Sequence, residues 1–138
     1  MLLSKIMLKA SDSLIFDTNI ILRFLLRDLE DQHAIVHNKL KKLKLVGGVA
    51  VVFGEVVAEC IHVMEKLYRM ARMDIVSTLK PFLQTEVVNL ADKNTVLKAL
   101  SLYGLTKLSY VDCLIIEKSW NTGEEIFSFD KKLIAKSK

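Results

Sequence analysis

Four acidic residues of this chain occupy positions where a carboxylate can take part in phosphate chemistry. Asp17 and Asp130 each end a short apolar run, Glu59 lies early in a long amphipathic helix pattern, and Asp112 begins another helix pattern. Oxygen ligands without a Cys- or His-rich cluster suit Mg²⁺ or Mn²⁺ better than zinc. Such a cation keeps water ligands, contacts phosphate and lowers the pKa of an attacking water. The four acids therefore predict a site for a hard divalent cation.

A pattern of alternating strands and helices has to position these acids. Short apolar runs predict four strands, at residues 14–17, 49–53, 86–90 and 126–129. Helical periodicity predicts helices at 20–27, 31–45, 55–72, 74–82, 92–103, 109–121 and 130–136. The alternation favours an α/β fold with a parallel sheet and right-handed crossovers. Ligands of such sheets bind outside the carboxyl ends of the strands, so we expect the four acids at one rim.

Each acid also has a simpler structural interpretation. Asp17 and Asp130 are good helix N-caps. Ser109 and Asp112 have the spacing of a capping box. Glu59 is compatible with a solvated helix face beside a neighbouring cation. These interpretations stay open for each acid taken singly, but they do not explain why all four fall at the same predicted rim.

Composition bounds the class of protein. The chain has 138 residues, 51% of them hydrophobic, with one Pro and five Gly, which excludes disorder and favours one domain. Its net charge of +4 comes from a surplus of lysine, which suits diffuse contact with an anionic partner. Two cysteines exclude a disulfide scaffold. No run of 18 apolar residues exists, and lysines interrupt the first ten residues, so we expect no membrane span and a cytoplasmic protein.

Around the four acids the sequence resembles the PIN domain family, and within it the short VapC-type toxin ribonucleases. Four sequence blocks carry this resemblance. They are an apolar strand followed by Asp-Thr-Asn at residues 15–23, two helical blocks with an acid at 56–64 and 110–115, and a Ser-Phe-Asp-x-x-Leu block at 127–133. Ser128 stands where Thr is usual. The resemblance covers roughly residues 14–134 and leaves the first dozen outside.

The resemblance implies a three-layer α/β/α fold with a short central parallel sheet of four to five strands. It implies a single PIN-like domain over residues 1–138, with residues 1–13 as an N-terminal extension outside the match. It also implies a metal-dependent endoribonuclease that uses Mg²⁺ or Mn²⁺ and is the toxin of a toxin–antitoxin pair. The implied partners are RNA, a cognate antitoxin protein and a second copy of the chain in a homodimer.

Several residues then receive expected roles. Asp17, Glu59, Asp112 and Asp130 match the acidic positions of the family and are expected to be catalytic metal ligands, direct or through water. Supporting contacts are expected from hydroxyls or an amide at the rim, at Thr18, Asn19 and Ser128; Asn19 is placed to hold Asp17 by a hydrogen bond. Two lysines that follow Asp130 are the best candidates for contact with RNA phosphate, at Lys131 and Lys132.

Two other functions remain alternatives at the level of sequence. One is a catalytically inactive PIN-like domain that binds or scaffolds, which the complete set of acids disfavours. The other is a receiver-type phospho-acceptor domain, which needs an acid pair after the first strand and an Asp at the end of the third. The first predicted strand ends in Asp17 alone, and the third, residues 86–90, ends without Asp.

Overall fold

The computed structural model describes residues 12–138, so the extension expected at residues 1–13 lies largely outside the described residues. The described chain is an α/β protein with a parallel sheet and a majority of helical residues, as predicted. It forms two compact units, one of residues 12–60 and 82–91 and one of residues 61–81 and 92–138. Residues 12–138 contain no helix that is long and apolar enough to cross a membrane.

The sheet of the first unit consists of three short parallel strands in the order β1-β2-β3. They are β1 (Ser13–Ile15), β2 (Val49–Val51) and β3 (Val88–Asn89). Leu14 pairs with Ala50, which in turn pairs with Val88, and the Ala50 side chain is completely buried. Gly48 precedes β2 because the chain passes very close to Asp12 there: a Cβ at residue 48 would lie 2.1 Å from the Asp12 carbonyl oxygen.

Helices α1 (Thr18–Leu26) and α2 (Glu30–Val46) follow β1 in the first unit. Ile21 and Leu22 of α1 are buried, and so are Val36 and Leu43 of α2, which places the apolar stripe of each helix in the core. Helix α2 ends at Gly47, which has a left-handed backbone conformation. Two further helices, α3 (Gly54–Lys66) and α4 (Arg72–Gln84), each begin in one unit and end in the other.

The second unit is built from α5 (Lys93–Leu105), α6 (Tyr110–Thr122) and α7 (Lys131–Ser137), together with parts of α3 and α4. Tyr103 is completely buried, and its hydroxyl donates a hydrogen bond to the Glu65 carboxylate. The Arg72 guanidinium lies 4.3 Å from the centre of the Tyr103 ring. It also donates to the carbonyl oxygens of Tyr103, Lys107 and Leu108, at 3.1, 3.2 and 2.5 Å. Arg72 thereby holds the connection between α5 and α6, which leads into the candidate site.

Two predictions about the elements are wrong. The sheet has three strands in the described residues, where four to five were expected, because residues 126–129 join no strand ladder and the chain bends at Phe129. Phe127 and Phe129 are 94% and 95% exposed, so this segment does not bury the face that a central strand buries. Helix α3 ends at Lys66, where the prediction extended it to residue 72, because Arg69 adopts a left-handed backbone conformation with φ of 52°. The three-layer arrangement stays a prediction.

Candidate active site

Asp17 lies directly after β1 and forms the N-cap of α1. Its Oδ1 atom accepts a hydrogen bond of 2.9 Å from the backbone N–H of Ile20. The Asp17 backbone is extended, as expected for a residue that leaves a strand and starts a helix. The capping interpretation of Asp17 is therefore correct, but it uses one carboxylate oxygen. The exposed Oδ2 atom accepts no hydrogen bond within the described residues and is available to a ligand.

Glu59 lies on α3 and acts on the same buried group as Asp17. The thiol of Cys60 is completely buried and lies 4.0 Å from the carbonyl oxygen of Thr18, so α3 packs against the start of α1. Burial raises the pKa of the Cys60 thiol to about 12, and the Glu59 and Asp17 carboxylates add to this rise in that order. Both carboxylates are thus close enough to act on one sulfur atom. Cys60 remains a neutral thiol, which is not a metal ligand.

Asp112 lies in the first turn of α6. The hydroxyl of Ser109 accepts a hydrogen bond of 3.1 Å from the backbone N–H of Asp112 and caps the helix. The reciprocal half of a capping box is absent from the described residues, because the Asp112 carboxylate does not return a bond to Ser109. Asp112 is half-buried. Its position is therefore fixed by its backbone, while its carboxylate has no structural hydrogen bond to make.

Asp130 forms the N-cap of α7. Its Oδ1 atom accepts hydrogen bonds from the backbone N–H groups of Lys132 and Leu133, at 3.0 and 3.2 Å. The Ser128 hydroxyl accepts a bond of 3.0 Å from the Asp130 backbone N–H. Leu133 is buried, so the cap is attached to a helix that packs on the second unit. As with Asp17, the cap uses Oδ1 and leaves the exposed Oδ2 atom without a hydrogen bond in the described residues.

Asp112 and Asp130 line the same cleft of the second unit, which has a volume of about 560 Å³. One wall is a face of α6, from Asp112 through Ile115 to Thr122, and the other is formed by residues 124–128 with Asp130 and Leu133. The cleft is strongly acidic because Glu124 and Glu125 also line it, with Lys118 as the one cation in its lining. Such a potential attracts cations and repels bare phosphate.

The structure therefore places the four acids in two pairs. Asp17 and Glu59 belong to the first unit, and Asp112 and Asp130 to the second. Within residues 12–138 no group of three or more His, Cys, Asp or Glu side chains is close enough to hold a metal ion. That all four acids share one rim stays a prediction. The donors of each pair are carboxylate oxygens, and Mg²⁺ is commonly bound by one or two carboxylates plus water, so the residues present fit a hard cation.

The supporting residues differ in what they contact. Ser128 holds the backbone of Asp130, and the Thr18 carbonyl accepts from Cys60. Asn19 is exposed, and its amide forms no hydrogen bond with Asp17 in the described residues. A supporting role of Asn19 at the rim stays a prediction.

Lys131 and Lys132 begin α7 immediately after Asp130. Both are exposed, and neither forms an ion pair with another described residue. Their ammonium groups are therefore available to a polyanion beside the acidic cleft. Their contact with RNA phosphate stays a prediction.

Sequence reasoning missed the exposure of Phe127 and Phe129, which flank Ser128. The run of residues 126–129 was interpreted as a core strand because it is apolar. The available signal was the polar Ser128 between the two rings, since a strand buried on both faces is usually a continuous apolar run.

Comparisons with known proteins extend over almost the entire chain. The family model of the PIN domain matches residues 14–138, a range that includes both pairs of acids. A VapC ribonuclease of Aquifex aeolicus (strain VF5) is 27% identical over 119 residues, which are 86% of this chain and 87% of that protein. No solved structure matches the chain.

Proposed function

Given that this chain belongs to the PIN domain family, we propose that it is a metal-dependent endoribonuclease of the VapC type. The observation that carries the proposal is the acidic cleft in which Asp112 and Asp130 meet at the starts of α6 and α7. We propose Asp17, Glu59, Asp112 and Asp130 as the carboxylates that bind Mg²⁺ or Mn²⁺. One family match spans residues 14–138, which supports a single PIN-like domain.

The capping bonds prepare two of these carboxylates for a cation. Oδ1 of Asp17 and Oδ1 of Asp130 are each fixed by backbone N–H groups, which restricts the side chain to one rotamer. Oδ2 of each residue is then held in a constant position without further loss of side-chain entropy. Ser128 limits the remaining freedom of Asp130 by holding its backbone.

A divalent cation bound to such carboxylates supplies a Lewis acid for the phosphate and a water of lowered pKa. The chain itself contributes the rest. Its acids hold negative charge in the cleft, so RNA phosphate is repelled until that charge is neutralised. Lys131 and Lys132 then attract the RNA phosphate backbone beside the cleft.

The proposal is tested by cleavage of single-stranded RNA with Mg²⁺ or Mn²⁺, and with excess EDTA. The chain offers matched controls: Glu55 lies one turn before Glu59 on α3 and is equally exposed, and Asp74 is the third residue of α4 as Asp112 is of α6. Glu59→Gln and Asp112→Asn should lose about 100-fold or more of the activity, while Glu55→Gln and Asp74→Asn should retain it.

Three results contradict the proposal. Cleavage that persists in excess EDTA removes the role of the metal. Equal losses of activity in the test and control variants show that removing any negative charge lowers activity, whatever its position. A wild-type protein that binds RNA but never cuts it, with either metal, favours the alternative of an inactive binding domain.

The partners form a separate part of the proposal. The VapC resemblance supports a cognate antitoxin and a homodimer, and a cytoplasmic location where RNA is accessible. Co-expression with the reading frame that adjoins its gene tests for a bound antitoxin. Size-exclusion chromatography with light scattering then measures the mass of the complex and of the chain alone. A monomer under all conditions would remove the homodimer.

A further inference from the structure

Two aromatic rings stand almost free of the protein beside the candidate active site. Phe127 is 94% exposed and Phe129 is 95% exposed, more than any other large hydrophobic side chain in the described residues. Burial of a phenylalanine side chain is strongly favourable, so proteins seldom leave two neighbouring rings in water without a partner to cover them.

The burial pattern shows that both rings face solvent. Residues 123–130 form neither helix nor strand, with a bend at Phe129, and exposure alternates along residues 126–129. Ile126 and Ser128 are half-buried against the second unit, and Phe127 and Phe129 therefore turn to solvent. Their ring centres lie 6.1 Å apart with the planes tilted by 57°, so the rings are not stacked on each other and keep faces available.

The surroundings of the rings point to one kind of partner. Phe127 lines the cleft that contains Asp112 and Asp130. Exposed Lys131 and Lys132 follow on the same stretch of chain. A ligand that offers flat apolar groups and negative charge at short intervals matches this combination, and single-stranded nucleic acid has both.

We propose that Phe127 and Phe129 form a stacking platform for unpaired bases of single-stranded RNA next to the scissile phosphate. This assignment rests on the proposed ribonuclease function for the identity of the polymer, and it adds how the substrate is held. The platform selects unpaired RNA, because bases within a duplex have no free face to stack on these rings. It discriminates weakly among sequences, since every base has a face that can stack.

The test is the affinity for a fluorescent single-stranded RNA, measured in Ca²⁺ with the Glu59→Gln protein so that cutting does not interfere. Truncating both rings, as Phe127→Ala with Phe129→Ala, should weaken binding by about five- to hundred-fold per ring. The double change to Tyr should retain binding, since the ring face remains, and the double change to Leu should lose it, since only apolar area remains. Leu105→Ala is the matched control, because Leu105 is 78% exposed elsewhere in the second unit.

A second arm varies the RNA. An oligonucleotide of equal length with abasic positions keeps the charge and removes the stacking groups, so it should bind the wild-type protein as weakly as intact RNA binds the Ala variant. Unchanged affinity of the Ala variant overturns the platform, as does full binding by the Leu variant. Loss of a dimer on light scattering, with RNA affinity retained, assigns the rings to a second copy of the chain instead.

The two proposals fail in different ways. If the wild-type protein cuts no RNA with either metal, the ribonuclease function fails, while the affinity measurements still report on the platform. If it cuts RNA but the rings do not affect affinity, the platform alone fails.

Discussion

Asp130 has two proposed tasks that a pair of substitutions separates. Its Oδ1 atom caps α7 through the N–H groups of Lys132 and Leu133, and its Oδ2 atom is proposed to bind the cation. Asp130→Asn keeps an oxygen that can accept the capping bonds and removes the charge, whereas Asp130→Ala removes both. Activity should fall to the same low level in both variants, since a neutral amide is a poor ligand for a hard cation.

Stability without metal should separate the two variants. Ala loses the cap, at a cost of about 1 kcal/mol (0.5–2). Asn loses the attraction of a negative charge to the helix N-terminus, about 0.3–1 kcal/mol, and gains relief from repulsion by the other acids of the cleft, which offsets part of that loss. The free energy of unfolding of the Asn variant should therefore lie close to that of the wild type. For a chain of this size, 1 kcal/mol corresponds to about 4 °C in melting temperature.

The assay combines urea denaturation in EDTA with amide hydrogen exchange at Lys132 and Leu133, which reports on the cap itself even if α7 unfolds locally. Faster exchange in Ala than in Asn is expected. If Asn retains full activity, Asp130 serves only as a cap. If Ala and Asn are equally stable, the capping bonds contribute nothing and the reasoning about Oδ1 is refuted. Asp17→Asn and Asp17→Ala repeat the comparison at α1, with the Ile20 amide as the local reporter.

Three further variants have a definite expected sign. The buried hydroxyl of Tyr110 has no hydrogen-bond partner in the described residues, so Tyr110→Phe should raise the free energy of unfolding by about 1 kcal/mol in urea. The Tyr103 hydroxyl lowers the pKa of Glu65 from 4.5, so Tyr103→Phe should cost about 1–2 kcal/mol at neutral pH, and the difference should shrink as acid protonates Glu65 below its lowered pKa. Replacing Lys131 and Lys132 by Ala should reduce the salt dependence of RNA affinity by up to about 1.4 in log–log slope; an unchanged slope places phosphate contact elsewhere.

The order of the elements was predictable from sequence because it depends on local periodicity. Strands β2 and β3 lie within the predicted runs, β1 begins one residue before its run, and each helix was found near its predicted place. The end of α3 was missed because Gly and Pro usually mark such ends, and neither is present there. Arg69 takes the left-handed conformation instead, while the N–H groups of Leu67 and Tyr68 both bond to the Val63 carbonyl.

The segment of residues 126–129 shows a different limit. Its apolar run predicts a strand, but joining a sheet depends on a distant partner strand, which no local pattern reveals. The acids at positions 17, 112 and 130 were recognised at their helix starts, since each short polar residue follows an apolar run or a Ser. Which carboxylate oxygen of Asp17 and Asp130 accepts the capping bonds depends on the side-chain rotamer, which the sequence does not determine.

A structural role alone explains two of the four acids but not the other two. Asp17 and Asp130 each stabilise a helix, so their identity could be retained for folding without any metal. Glu59 and Asp112 form no hydrogen bond through their carboxylates and no ion pair in the part of the chain that the structure describes. A half-buried carboxylate without a positive partner, as at Asp112, gains only its attraction to the N-terminus of α6, about 0.3–1 kcal/mol. The metal hypothesis therefore depends most on Glu59 and Asp112, where loss of activity on substitution cannot be attributed to a lost cap.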